Sequence, residues 1–167
     1  MNSRNLALWL TLLVAPVDAH AEDAEPTAIA EMGGARQWSL GSGGSSYGPN
    51  FGIETTPIPE ILELEADVTP YFSRGQTEWD SDFLFKKPFV LSNTLEFMMG
   101  VGPEWDHVVS HAGTTDTVGG EAALDFMYWP TRERRLGFYL EPTYGYSFGR
   151  GHEQSLSVSL GLLVPIP

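Results

Sequence analysis

The segment 136–148 reads LGFYLEPTYGYSF, and it decides the fold of this chain. Every second residue from Leu136 to Phe148 is apolar or aromatic. The positions between them carry Gly137, Tyr139, Glu141, Thr143, Gly145 and Ser147. A period of two is that of a β-strand, in which successive side chains point to opposite faces. The segment therefore predicts a strand with one apolar face and one polar face.

The same alternation recurs along the chain, and the charges fall on the face without the large hydrophobic side chains. It predicts strands at 36–40, 47–55, 62–72, 77–86, 94–105, 118–129 and 136–148, then a last strand carrying Leu156, Val158, Leu160 and Leu162. Short connections favour antiparallel neighbours. The expected fold class is all-β, with eight strands and both chain ends on the same side.

The N-terminal region is typical of an exported protein. Residues 1–21 have the features of a secretory signal peptide: Arg4, the apolar run 6–16, and a small-x-small cleavage site at Ala19-His20-Ala21. Residues 22–35 are acidic and rich in alanine and glycine, without periodicity. They are interpreted as a flexible periplasmic lead-in, which leaves 36–167 as the β-barrel domain.

Composition excludes several classes of function. The formal net charge is −13, and removal of the signal peptide leaves it unchanged because Arg4 and Asp18 cancel. A strongly acidic protein is a poor ligand for nucleic acid, whose phosphates attract lysine and arginine. The chain has no cysteine, which excludes thiol catalysis and cysteine–zinc sites.

The alternation alone permits a membrane barrel, a soluble ligand-carrying barrel or a soluble sandwich. The charged face is also rich in glycine, which suits a narrow lumen, whereas the other face is rich in aromatic residues. Four aromatics near strand ends suit the girdles at a membrane interface: Trp79, Trp105, Tyr128 and Phe148. We therefore expect an eight-stranded antiparallel up-and-down transmembrane β-barrel. The alternative is a soluble periplasmic barrel that binds a small apolar ligand and has the faces reversed.

In the transmembrane orientation the lumen is strongly acidic. Its predicted acids are Glu54, Glu63, Glu65, Asp67, Glu78, Asp80, Asp82, Glu96, Glu104, Glu121, Asp125 and Glu141, and its chief basic partner is Lys86. Unpaired ionised carboxylates in a dry lumen are costly. Four explanations remain open: acids solvated near the rims, a wet lumen, protonated carboxyls that share hydrogen bonds, or a bound cation.

Connections and prolines complete the predicted layout. The outer loops are 41–46, 73–76, 106–117 and 149–153, and the inner turns are 56–61, 87–93 and 130–135. A weak repeat, aliphatic-x-Pro-x-aromatic, places Pro70, Pro103 and Pro142 inside strands. Because proline interrupts strand pairing, a β-bulge is expected near each of them.

These features resemble the small eight-stranded outer-membrane β-barrel proteins of Gram-negative bacteria. The resemblance covers roughly 36–167 and rests on pattern and layout. It implies the cell outer membrane as location, with outer-membrane lipid and the barrel assembly machinery as partners. Members of this family include anchors, adhesion factors, narrow channels and a few lipid-modifying enzymes. One departure is that the chain ends Val164-Pro165-Ile166-Pro167 rather than on an aromatic residue.

Candidate catalytic and metal-binding residues are few. His152, Glu153 and Ser155 resemble a lipid-deacylase constellation, but residues three apart on a strand point to opposite faces. His107 and His111, with Asp106, have metal-like spacing only on a helix, whereas 106–116 is predicted as a loop. We expect no catalytic residue, no cofactor and no metal. The prediction is a monomeric, structural or narrow cation-preferring barrel, with a lipid-modifying enzyme as the third alternative.

Overall fold

The computed structural model of the protein describes residues 27–166 as a closed antiparallel β-barrel in which each strand pairs with the next and β8 closes on β1. The strands are β1 (Ala28–Ser39), β2 (Ser45–Ile58), β3 (Leu62–Ser73), β4 (Gln76–Val90), β5 (Leu95–Ser110), β6 (Gly113–Tyr128), β7 (Gly137–Ser147) and β8 (Gln154–Ile166). The predicted all-β, eight-stranded up-and-down barrel is therefore confirmed. The predicted signal peptide lies outside the described residues.

The barrel has two ends with different connections. The strand start at Ala28 and the strand end at Ile166 lie at one end, here called the terminal end, together with the connections 59–61, 91–94 and 129–136. The opposite end, called the distal end, carries the connections 40–44, 74–75, 111–112 and 148–153. The distal connections are short, so the strands themselves form most of the rim.

Three sequence-based boundaries are wrong. Residues 28–35, predicted as part of a flexible lead-in, belong to β1 and pair with both β2 and β8. Segment 106–116, predicted as a long loop, forms the ends of β5 and β6 around a two-residue turn. Residues 87–90, predicted as a connector, continue β4. In each case pairing with a neighbouring strand extends the strand through residues that the sequence analysis assigned to a connection.

The prediction of a bulge at each repeat proline is also wrong. The register is the same before and after Pro70, Pro103 and Pro142. Instead, the pairing with the preceding strand is interrupted for two or three residues beside each proline and then resumes in the same register. A proline has no N–H to donate, so the ladder is interrupted on one side only. The shift of register between β2 and β3 lies at Thr55/Ile58.

The two faces of the sheet differ as a membrane barrel requires. The outer surface carries a continuous set of exposed large hydrophobic side chains from every strand, among them Phe51, Phe85, Leu124, Leu140 and Leu160. The inner surface carries the buried charged and polar side chains. Within residues 27–166, no helix is long and apolar enough to cross a membrane.

Candidate functional site in the barrel lumen

Lys86 occupies the centre of the lumen. It extends inward from β4, it is fully buried, and its ammonium group forms ion pairs with Glu65 on β3, Asp125 on β6 and Glu141 on β7. The Nζ–Oδ2 distance to Asp125 is 3.2 Å. One cation thus joins carboxylates from three strands, two of them not adjacent to its own. An ion pair in a low-dielectric interior is tolerated when several hydrogen bonds satisfy both partners.

A group of four buried acids overlaps this ion-pair network. Glu31, Glu54, Glu65 and Asp125 each offer a carboxylate oxygen, and these oxygens lie within 4.8 Å of one another. Neither oxygen of Glu54 accepts a hydrogen bond from the described residues. Sequence reasoning missed Glu31 because it lies in the segment interpreted as a lead-in. Its place in the alternation Ile29, Glu31, Gly33, Ala35, all inward on β1, was the signal that could have found it.

The distal half of the lumen holds a second group of acids without a lysine. Asp80 on β4 lies directly opposite Asp106 on β5, and Asp82 lies opposite Glu104 in the next inward pair. Asp80, Glu104 and Asp106 bring carboxylate oxygens within 4.8 Å of one another. Among the described residues, none of these three acids forms a salt bridge. This half of the lumen therefore holds clustered carboxyl groups that have no basic partner among the described residues.

The terminal end of the lumen is closed by an apolar cluster. It consists of Ile29, Met98, Met127, Trp129, Tyr139 and Leu163. Trp129 is fully buried, and its indole N–H donates a 3.2 Å hydrogen bond to Oε2 of Glu96. Arg134 pairs with the other oxygen of Glu96, and its guanidinium carbon lies 5.6 Å from the Trp129 ring centroid. Glu96 is thus held at the terminal rim by an indole and a guanidinium.

Near the middle of the lumen, a hydrogen-bonded network crosses the barrel and ends on Asp67, which forms a third group of acids with Glu65 and Asp82. The Tyr139 hydroxyl donates to Oδ1 of Asn50, and the Asn50 amide donates to Thr69 at 2.9 Å and to Asp67 at 3.4 Å. Leu84, also fully buried, fills space on the opposite wall. The interior is therefore filled with side chains over its middle section, as expected for a barrel of eight strands.

The structure places the predicted lumen acids on the inner face, at different depths. Of these acids, Glu65, Asp125 and Glu141 contact Lys86. Asp80, Asp82 and Glu104 lie in the distal half, Asp67 accepts a hydrogen bond from Asn50, and Glu96 lies at the terminal rim. Glu121 is buried in the distal half, and Glu63 is half-buried beside a terminal-end cavity of about 400 Å³. Lys86, the predicted basic partner, lies among these acids.

The predicted interfacial aromatics lie on the outer surface. Trp79, Trp105, Tyr128 and Phe148 are all exposed. Three of them are near the distal end of the barrel and Tyr128 is at the terminal end. Further exposed aromatics on the outer surface include Tyr47 and Phe138.

The structure does not bring the candidate catalytic groups together. His152 lies in the distal connection with its ring stacked on Tyr146, and no hydrogen bond joins it to Ser155 among residues 27–166. The Nδ1 atom of His107 lies 2.7 Å from Asp116 on the neighbouring strand. Asp106 points instead into the lumen, so the three residues of the candidate surface metal site diverge.

Fold and faces together define a class: a closed eight-stranded barrel with an apolar outer surface and a polar, largely filled interior. No family model matches the sequence, and no curated protein matches it. Among solved structures, Neisserial surface protein A (NspA) matches with a TM-score of 0.69 and 14% identity, over 84% of this chain and 97% of that one. Ail, the attachment invasion locus protein of Yersinia pestis, matches with a TM-score of 0.55 and 12% identity, over 84% of this chain and 98% of that one.

These likenesses concern the fold. The chain has the architecture of the small eight-stranded outer-membrane barrels, and the match extends over nearly the whole length of each of the two solved chains. At such low identity the lumen residues of this chain have to be interpreted from their own geometry.

Proposed function

We propose that this protein is an outer-membrane β-barrel of a Gram-negative bacterium, exported through a cleaved signal peptide, and that its role is structural. The observation that carries the proposal is the apolar outer surface. Leu160, at the middle of β8, is 60% exposed, and comparable hydrophobic side chains surround the barrel at the same level. Such a surface is stable against lipid and is a liability in water.

The soluble alternative requires the opposite arrangement of faces. A ligand-carrying barrel needs an apolar cavity, whereas the interior here carries Glu31, Glu54, Glu65, Lys86 and Asp125, all buried. An apolar ligand in contact with these groups would leave their polar atoms without partners, which is costly. The lumen chemistry therefore supports the membrane barrel over the soluble carrier.

A filled lumen favours a structural barrel over a pore. Any ion crossing the barrel would have to pass the Trp129 cluster and the Lys86 network, and the fully buried Leu84 lies between these and the distal half. The cation-preferring pore remains the second candidate because buried acids lie on the inner face in both halves of the barrel. No arrangement in the described residues favours the enzyme alternative, since His152 and Ser155 do not form a nucleophile–base pair.

Membrane fractionation tests the location. We expect the protein in the outer-membrane fraction, and we expect its mobility on a gel to change after boiling because the folded barrel resists detergent. Recovery from the soluble periplasmic fraction, with one mobility before and after boiling, would contradict the proposal.

Planar-bilayer recordings separate the structural barrel from the pore. The structural barrel gives no steady current above that of a bilayer with detergent alone. The pore gives cation-selective current that loses its selectivity when Glu63, Glu65 and Asp82 are replaced by their amides.

A further inference from the structure

Two successive inward pairs on β4 and β5 bring like charges face to face. Asp80 lies opposite Asp106, and Asp82 lies opposite Glu104. Cross-strand partners have their Cβ atoms about 4.5–5.5 Å apart, and like charges placed directly opposite each other destabilise the sheet. The four facing acids therefore need a compensating interaction.

Three carboxylates in the distal half of the lumen converge on one point. Asp80, Glu104 and Asp106 each contribute an oxygen, with all three oxygens within 4.8 Å of one another. In the described part of the chain no basic side chain pairs with any of them. The acids around Lys86 differ in this respect, because the lysine already neutralises part of their charge.

An unpartnered buried oxygen points to a missing ligand. The Asp80 side chain is in a residue only 5% exposed, and its Oδ1 atom accepts no hydrogen bond from residues 27–166. Oδ1 of Asp106 is buried and unpartnered in the same way. A buried carboxylate oxygen without a donor or a cation is costly.

A cavity connects this group to the distal end of the barrel. Its wall includes Glu104 and Asp106, together with Gln37, Glu78 and Glu153. The Gln37 amide donates a hydrogen bond to Oε1 of Glu78, and Glu153 lies in the distal connection. A cation arriving from the distal side therefore meets oxygen ligands along its path and does not have to cross the filled middle of the lumen.

We propose that Asp80, Glu104 and Asp106 bind a hard divalent cation, Ca²⁺, in the distal half of the lumen. All candidate ligands are oxygens, which suits Ca²⁺ or Mg²⁺ rather than a metal that prefers nitrogen or sulfur. Ca²⁺ accepts six to eight oxygens in flexible geometry, which fits three side chains on two strands with Glu78 lining the same cavity. The bound ion offsets part of the charge of the facing acids and links β4 to β5.

Direct binding and ion-dependent stability test the site. The refolded full-length mature barrel in detergent, stripped with a chelator, is titrated with CaCl₂ by calorimetry, and its thermal unfolding is followed with CaCl₂, MgCl₂ or NaCl at matched ionic strength. We expect Ca²⁺ to bind and to raise the unfolding temperature more than NaCl does. A larger response to MgCl₂ would overturn the assignment to Ca²⁺.

Two isosteric variants and one control locate the ion. Asp80→Asn and Asp106→Asn each remove one charge, and we expect the Ca²⁺ affinity of this site to fall at least about tenfold. Without Ca²⁺ both variants should be at least as stable as the parent, because each relieves a like-charge contact; a merely structural role for the carboxylates predicts a loss instead. Asp116→Asn, on the exposed part of the same hairpin, should leave Ca²⁺ binding unchanged.

The contradicting outcomes are equally specific. Absence of Ca²⁺ binding to the parent barrel overturns the proposal, and so does an unchanged Ca²⁺ response in both Asp80→Asn and Asp106→Asn. Binding to the acids around Lys86 would appear as a signal that survives both variants and is lost in Glu54→Gln. Failure of the cation site leaves the outer-membrane assignment untouched, because the fractionation and gel assays are performed without added Ca²⁺.

Discussion

The hydroxyl of Tyr139 on β7 donates a hydrogen bond to Oδ1 of Asn50 on β2, two strands that are not neighbours in the barrel. Both side chains are buried, and the Asn50 amide donates a further hydrogen bond to Thr69 on β3. The bond therefore links two non-adjacent strands across the lumen. It adds to the backbone hydrogen bonds that join neighbouring strands around the barrel.

Replacing Tyr139 by phenylalanine should destabilise the barrel. The ring remains, but Oδ1 of Asn50 is left buried without its donor, which costs about 1–3 kcal/mol. Urea unfolding of the barrel in lipid vesicles measures the change. Tyr144→Phe is the matched control, because the Tyr144 hydroxyl donates to Gln154 on the exposed surface, and its loss should be close to neutral. Equal effects of the two variants would mean that the cross-lumen bond contributes nothing special.

Lys86→Met, in the centre of the lumen, should destabilise the barrel more than Tyr139→Phe does. The thioether side chain has a similar length but no charge, so Glu65, Asp125 and Glu141 lose their common partner. Breaking a buried ion pair by removing one partner typically costs about 3–5 kcal/mol. The expected result is a lower unfolding midpoint and a smaller yield of the heat-modifiable folded band.

The neighbouring lysine provides the control for that experiment. Lys87 points outward, is exposed and contacts the backbone oxygen of Glu60. Lys87→Met should change stability by less than about 0.5 kcal/mol, as is usual for surface substitutions. A Lys86→Met barrel as stable as the Lys87→Met barrel would show that the interior carboxylates do not depend on the lysine.

Sequence reasoning predicted the strand number and the two faces because both depend on a period of two that survives in every strand. Glu65, Lys86, Asp125 and Glu141 could be assigned to the interior by their positions in that alternation. That these four side chains meet in the lumen could not be predicted, because it depends on the relative register of strands far apart in sequence. Lys86 and Glu141, for example, are 55 residues apart.

The errors have a common physical origin. Residues 28–35 and 106–116 are rich in small and polar side chains, and their own preferences favour a loop. Pairing with β2 and β8 in the first case, and of β5 with β6 in the second, overrides those preferences. For this reason the sequence analysis did not place Glu31 and Asp106 in the lumen, although each belongs to one of the two acidic groups.

Gly102→Ala should disturb the pairing of β4 with β5. A Cβ atom at Gly102 would lie 1.8 Å from the carbonyl oxygen of Phe83, so the backbone has to move. Overpacking of this kind costs about 1–3 kcal/mol or more. Gly34→Ala is the control, because the nearest atom to its added Cβ lies at 3.8 Å. We expect a lower unfolding midpoint for Gly102→Ala alone, measured by the same vesicle assay.

Leu160→Arg tests which face meets lipid. Leu160 lies at the middle of β8 and points outward, between Gly34 of β1 and Leu140 of β7. In a membrane barrel an arginine facing lipid at the midplane costs about 2–4 kcal/mol, falling to about 0–1 kcal/mol near the interfaces. Leu156→Arg, on the same face but near the distal end of β8, should therefore cost less, and the difference should appear in vesicles. In a water-exposed barrel both arginines would be tolerated equally, so two indistinguishable unfolding midpoints would contradict the proposed location in the outer membrane.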